Sequence, residues 1–169
     1  MQFMTQFKAT YQSPLGPIVM LADEQYLLGV WFDQQTYFGA KYDLDAASTD
    51  ASPILSETTT WLDDYFAGKR PDPALLPTHP ETTQFRRQVY QVLLSIPYGE
   101  TITYQEIVAK LTTQNGQPTG SARAVGGAVG HNPISIVIPC HRVLGANGSL
   151  TGYAGGLDRK KALLKLEAN

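Results

Sequence analysis

Nucleophilic chemistry in this 169-residue chain has one sulfur to draw on: Cys140 is its only cysteine, set in "ISIVIPCHRVLG" between Pro139 and the pair His141 and Arg142. With a reference pKa of about 8.5, a free thiol is only a few per cent ionised at neutral pH, so a nucleophilic cysteine needs a base or a positive charge nearby. His141 and Arg142 are candidates for both. Neighbours on an extended segment point to opposite sides, so His141 as base would act through a turn or a bridging water. The bland alternative is an inert, buried small hydrophobe, the commoner fate of a free cysteine. Asn132 and Glu167 are available to orient a histidine, which keeps cysteine-hydrolase chemistry open. From residue chemistry alone, the reading stops at an activated cysteine.

Other chemistries find less support. A single cysteine forms no internal disulfide, and His79, His131 and His141 are not clustered at zinc-ligand spacing, so no metal is expected. There is no phosphate-binding G-x-x-x-x-G-K-[ST] loop, and "VGGAVG" lacks the spacing and preceding strand of a dinucleotide fingerprint; no cofactor is expected. The stretch "MQFMTQFKAT" has no charged region followed by an apolar run, and no segment approaches the ~20 apolar residues of a membrane span. A cytoplasmic protein without membrane contact is the expectation. The net charge of −2 conceals a division: residues 1–80 hold 4 Lys+Arg against 10 Asp+Glu (net −6), and residues 81–169 hold 9 against 5 (net +4). A basic working half with an acidic companion fits that pattern, as do two differently charged solvated faces.

The elements that must position Cys140 follow from periodicity and caps. "FKATYQ", "IVMLA" and "YLLGVWF", separated by turn residues Ser13 to Pro17, predict short antiparallel strands. Ser52 and Pro53 open a helix whose apolar positions Ile54, Leu55, Thr58, Trp61, Leu62, Tyr65 and Phe66 must cover that sheet. Four prolines in "KRPDPALLPTHP" predict an extended linker, placing a domain boundary near residue 80. Beyond it, a helix on Phe85, Val89, Val92, Leu93 and Ile96 ends at Pro97-Tyr98-Gly99. "TYQE" offers a capping box for a short helix from about Tyr104 to Leu111, and after the polar turn "TTQNGQPTG" Ser121 caps "ARAVGGAVGHN". Such a pair is consistent with a helix-turn-helix. Gly126, Gly127 and Gly130 each cost about 1 kcal/mol relative to Ala inside a helix. Close helix packing is one reason for them; approach to a partner surface such as a minor groove, with Arg123 projecting, is the other. "ISIVI" reads as a buried strand delivering Pro139 and Cys140 to its end, and Asn147-Gly148 and "TGYAGG" read as turns flanking the cysteine.

In series, "GETITYQEIVAKL", "ARAVGGAVGHNP", "IPCHRV" and "GYAGGLDRKKALLKLE" closely resemble the O6-methylguanine-DNA methyltransferases, over nearly all of residues 84–169. "YQSPLGPIVMLA" and "LLGVWF" resemble the ribonuclease-H-like companion domain of many members. The resemblance implies an α+β fold: residues 1–80 form a small β-sheet domain with a helix and the Pro-rich linker, and residues 81–169 form a winged helix-turn-helix domain carrying DNA binding and alkyl transfer. It implies irreversible transfer from O6-methylguanine, and less efficiently O4-methylthymine, in duplex DNA to Cys140, without a cofactor. The protein would be a monomeric, single-turnover reagent. His141 would withdraw the thiol proton through a water, oriented by Glu167, while Asn132 braces the turn. The base would be flipped out, Arg123 filling the gap and Tyr104 crowding the 3′ phosphate and reaching the base. Ala122, Gly126 and Gly127 would form the minor-groove face, the carbonyls of Cys140 and Val143 would accept from the guanine amino group, and Tyr153 and Ala154 would close over the base. Here the turn 112–120 is longer than in many members, Ala154 stands where some have serine, and the cysteines of the zinc-bearing members are absent. A lesion binder without transfer would lack the cysteine, and a winged-helix regulator would leave "IPCHRV" without a task.

Overall fold

The structure is a computed structural model describing residues 4–169; residues 1–3, part of the N-terminal stretch read for a leader, lie outside the described residues. The fold is α+β. Strands β1 (Phe7–Ser13), β2 (Gly16–Ala22) and β3 (Leu27–Phe32) form an antiparallel sheet in that order, with Ser13 opposite Gly16 across the Pro14-Leu15 turn. Period-2 alternation sends Ile18 and Met20 into the main core and Leu21, with Trp31, into a smaller cluster on the other face. Gly29 is required there, because a Cβ on it would fall 1.9 Å from the Trp31 ring.

Helix α1 (Pro53–Phe66) starts as its residues dictate, with Ser52 Oγ accepting from the Leu55 amide, and it packs on β1 and β2. The proline-rich segment after it, predicted as an extended linker, is extended only in part: Asp72 caps a 3₁₀ turn over Pro73–Leu75, its carboxylate accepting from the Ala74 amide, and the rest is held down. The Leu27 amide donates to Pro77 O at 2.8 Å and the His79 amide to Leu27 O at 3.1 Å, fixing it to the edge of β3. The indole of Trp61 donates to Asp72 O.

In the second half, α2 (Gln84–Leu94), α3 (Tyr104–Asn115) and α4 (Ala122–Gly130) pack on one another, α3 and α4 forming the helix-turn-helix. Helix α3 continues one turn past the predicted end at Leu111. Gly116, at φ 69°, terminates it, and Asn115 and Thr119 bond each other across a turn shortened to residues 116–121. Polar Thr112 to Asn115 carry no apolar period but are adequate helix residues on an exposed face. Of the expected capping box the N-cap half forms: Thr103 Oγ1 accepts from the Glu106 amide, and the Glu106 carboxylate accepts from that same hydroxyl. Strands β4 (Ile102–Thr103) and β5 (Val143–Leu144) make a short parallel pair, and α5 (Leu157–Glu167) closes the chain against the turn at Cys140. Among the described residues, no helix is long and apolar enough to cross a membrane.

Candidate active site

The segment predicted as a strand, "ISIVI", is buried throughout but is a compact turn, and only Ile134 makes a β-bridge, to Val30. Its hydrogen bonds explain the difference. The Asn132 side chain donates to Ile138 O at 2.8 Å and Ile134 O at 3.3 Å and accepts from the Ile134 amide at 3.0 Å, while the Ile138 amide donates to Ile134 O. A side-chain amide thus does the work of a partner strand, curling the backbone far enough to put Ile136 at φ 70°, a conformation β-branched residues rarely adopt. The turn delivers Cys140 to the start of a 3₁₀ turn spanning Cys140–Arg142.

Glu167, 2% exposed at the end of α5, gathers the residues around Cys140. Its Oε2 accepts from His141 Nε2 and from the Tyr65 hydroxyl, both at 2.5 Å, and from Arg142 at 3.2 Å. Oε1 accepts from Arg142 Nε at 2.7 Å and the Gly99 amide at 3.2 Å. Burial alone would raise this carboxyl, but the hydrogen bonds from His141, then from Arg142 and Tyr65, hold it far below the usual carboxylate range. Burial pushes the His141 imidazole down, against the pull of Glu167. The pair is therefore a carboxylate with a neutral imidazole, Arg142 supplying the countercharge. Since an ionised carboxylate only accepts, His141 carries its proton on Nε2, and Nδ1, buried and without a hydrogen-bond partner among the described residues, presents a bare lone pair.

Cys140 is 2% exposed, and burial raises its thiol above the ordinary value, opposed by Asn132 and by the charge of Lys160. The cation acting on the thiol is thus Lys160, while Arg142 is committed to Glu167 and Ile96 O. Lys160 is fully buried, its Nζ donating to Val143 O at 2.6 Å and Thr151 O at 3.3 Å. The resting sulfur is a thiol, and a base is needed when it reacts. Tyr153 lies beside it with a buried hydroxyl, raised by burial and by Cys140.

Tyr153 and Ala154 also line a cleft of about 350 Å³ with Tyr104, Gly126, Val129 and Tyr37. Tyr104 Oη and Thr151 Oγ1 are bonded at 2.7 Å, and the Thr36 amide donates to Ala154 O, so a loop of the N-terminal half forms one wall. Asn147 (φ 60°) and Gly148 (φ 75°) form the expected turn near this loop. Arg123 is exposed in the first turn of α4, after the half-buried Ala122. A Cβ added at Gly127 or Gly130 would meet nothing within 4 Å, and one at Gly126 would meet only the Tyr104 ring at 3.8 Å. Packing among the described residues does not require these glycines. The carbonyl of Val143 already accepts from Lys160, leaving one lone pair for a further donor.

Of the site residues singled out in the sequence, Cys140, His141, Glu167 and Asn132 are brought together here; Lys160, Tyr65 and Thr36, which share the place, were not among them. Lys160 stands in the basic run "RKK", which reads as solvated, and Tyr65 reads as one more apolar position of α1. A lysine at the inward position of a helix is the one signal that could have found Lys160.

Comparison with known proteins bears on the whole chain. Residues 84–169 match the family model described as 6-O-methylguanine DNA methyltransferase, DNA binding domain, and residues 7–80 match its ribonuclease-like domain. A methylated-DNA–protein-cysteine methyltransferase of Methanosarcina acetivorans is 44% identical over 165 residues, covering 96% of this chain and 99% of that one. The solved structure of Mycobacterium tuberculosis OGT in complex with DNA superposes with a TM-score of 0.80 at 41% identity, covering 96% of this chain and 92% of that one. The O6-methylguanine-DNA methyltransferase of Pyrococcus kodakaraensis, 26% identical, superposes at 0.69 over 98% and 100% of the two chains.

Proposed function

The chain belongs to the 6-O-methylguanine DNA methyltransferase family, and from that premise we propose how this methylated-DNA–protein-cysteine methyltransferase repairs alkylated DNA. The acceptor is Cys140. The observation that carries the assignment is the state of His141: Nε2 is bound to ionised Glu167, and the unpartnered Nδ1 lies in the residue next to the only thiol.

The raised thiol must lose its proton during reaction, and His141 receives it through a water. Sulfur attacks the alkyl carbon, the S–C bond forms as the C–O6 bond breaks, and the electron pair left on guanine takes a proton at N1. The thiol proton is thus balanced by the one guanine regains. Lys160 and Asn132 stabilise negative charge on sulfur as it develops. The thioether that results is a poor leaving group, so each chain acts once. O4-methylthymine reacts by the same displacement, less efficiently.

Duplex DNA is the substrate, bound as a monomer from the minor groove, in the cytoplasm and with no cofactor. The open face of Gly126 and Gly127 beside Ala122 supports that docking, since a backbone without side chains can approach a narrow groove. A buried sulfur cannot reach a stacked base, so the nucleotide is flipped out, Arg123 filling the gap and Tyr104 pressing the phosphate. The cleft at Tyr153 and Ala154 receives the base, and the carbonyls of Cys140 and Val143 take its amino group. Residues 1–80 and 81–169 are the two domains.

The test is intact mass and peptide mapping after mixing protein with an equimolar duplex carrying one O6-methylguanine. One methyl on Cys140, stopping at one equivalent, is the expected result; binding without mass gain would make the protein a lesion binder. Arg123→Ala should slow transfer from duplex far more than from the free base, and equal losses would remove the finger role.

A further inference from the structure

We propose that Tyr65, from the N-terminal half, is a positioning residue of the transfer site: its hydroxyl holds Glu167 so that His141 keeps Nδ1 bare to receive the Cys140 proton. The inference rests on the transfer reading above.

Tyr65 stands in the last turn of α1, 1% exposed, 102 positions from the carboxylate it reaches. Four rings fix its own: Trp61 stacks on it at 5.7 Å and 9°, and Phe66, Tyr98 and His141 meet it edge-on at 5.2, 5.8 and 6.5 Å. The hydroxyl therefore has one direction open to it, and there it donates to Glu167 Oε2, the oxygen that also accepts from His141 Nε2. Packing alone would be met by phenylalanine, as at Phe66 next door. A buried hydroxyl is retained at a cost unless its bond is used.

Three donors share Oε2, the long one from Arg142 and the two short ones from Tyr65 and His141, and the short pair compete. The Tyr65 bond lowers the basicity that Oε2 shows toward the imidazole, so His141 is less readily protonated than a lone carboxylate partner would make it. The groups facing His141 are Tyr65 from α1, Glu167 and Lys160 from α5, and Arg142 beside it. Lys160 and Arg142 also disfavour the imidazolium. Tyr65 acts through Glu167 in the same sense and, unlike them, brings no charge. A protonated His141 cannot accept the thiol proton, so this bond sets how far into acid the protein still works.

The experiment is single-turnover methyl transfer by full-length Tyr65→Phe and wild type from about pH 5 to 9, alongside NMR titration of the labelled histidines without DNA. The acidic limb of the Tyr65→Phe profile and the His141 midpoint should both move up by about one pH unit, with the plateau rate within about threefold of wild type. A superimposable limb, or an equal loss at every pH with an unmoved midpoint, overturns the proposal, since a packing role would produce either. If wild type transfers no methyl, the transfer reading fails by itself, and an unchanged His141 midpoint then overturns the Tyr65 role separately. Should Tyr65→Phe not fold, wild type still decides: a slowly exchanging hydroxyl proton with a cross-peak to the His141 ring supports the bond, and its absence overturns it.

Discussion

Replacing Asn132 by alanine tests whether the turn carrying Cys140 is built by one side chain. The bonds lost are unequal. Ile134 O and Ile138 O keep partners in the amides of Ile138 and Cys140, at 3.0 and 2.8 Å, whereas the Ile134 amide has only Asn132 Oδ1. Stranding that buried donor costs about 1–3 kcal/mol, and weakening two carbonyls adds roughly 1 more. The expected loss is therefore about 2–4 kcal/mol, a large part of an ordinary domain stability of about 5–15 kcal/mol. In a chain of this size it corresponds to a melting temperature lower by roughly 5–15 °C. Urea unfolding followed by circular dichroism measures it. Asn132→Asp sharpens the test, because a carboxylate still accepts from the Ile134 amide but sets negative charge against two carbonyls and the thiol. It should transfer methyl more slowly than Asn132→Ala per folded molecule, by raising the thiol further. A loss under about 0.5 kcal/mol for Asn132→Ala would show that the turn stands without its amide bridge and refute the reasoning.

Gly127→Ala should stabilise the protein by about 0.5–1 kcal/mol, since the methyl meets nothing in the chain, yet weaken DNA binding; unchanged affinity in fluorescence anisotropy would remove the glycine face from the interface. Lys160→Met takes away the cation acting on Cys140 and should move the pH dependence of transfer upward, slowing it about tenfold at neutral pH, measured by single-turnover kinetics. Glu167 is depressed in the folded protein, so the stability it contributes is complete above the unfolded carboxylate value of about 4.3 and is lost as pH falls toward the folded one. Wild type should accordingly lose more stability between about pH 5 and 3 than Glu167→Gln, which starts lower because Arg142 is left buried without its counterion; parallel acid titrations would contradict this.

Much of the frame was legible because local chemistry and tertiary need agree there. Ser52, Thr103 and Ser121 cap the helices their positions announce, and the three short runs expected as strands pair antiparallel as β1 to β3. The turn at 134–138 was not legible, because a β-branched run reports burial, and what curls it is a side chain two positions upstream. Lys160 was missed for a related reason: composition says that lysines in a charged run are solvated, and only the packing of α5 shows which of them turns inward to Val143 and Thr151. His141 and Glu167 were separately visible. Their bond, and the hydroxyl that shares it, depends on a contact spanning 102 positions, which no local pattern carries.

The three-stranded sheet has two edges, and neither is left wholly bare. Ser48 is bonded to Lys8 along β1, while along β3 the proline-rich segment takes Leu27 and the turn before Cys140 takes Val30 through Pro133 O and the Ser135 amide. An N-terminal fragment cut free of the rest would therefore expose the β3 ladder where Val30 now pairs, a template for self-association between fragments. Proteolytic separation of the halves should yield aggregation of the first half, not a soluble miniature, and tags or fusions are better carried at the chain ends than inserted near residue 80.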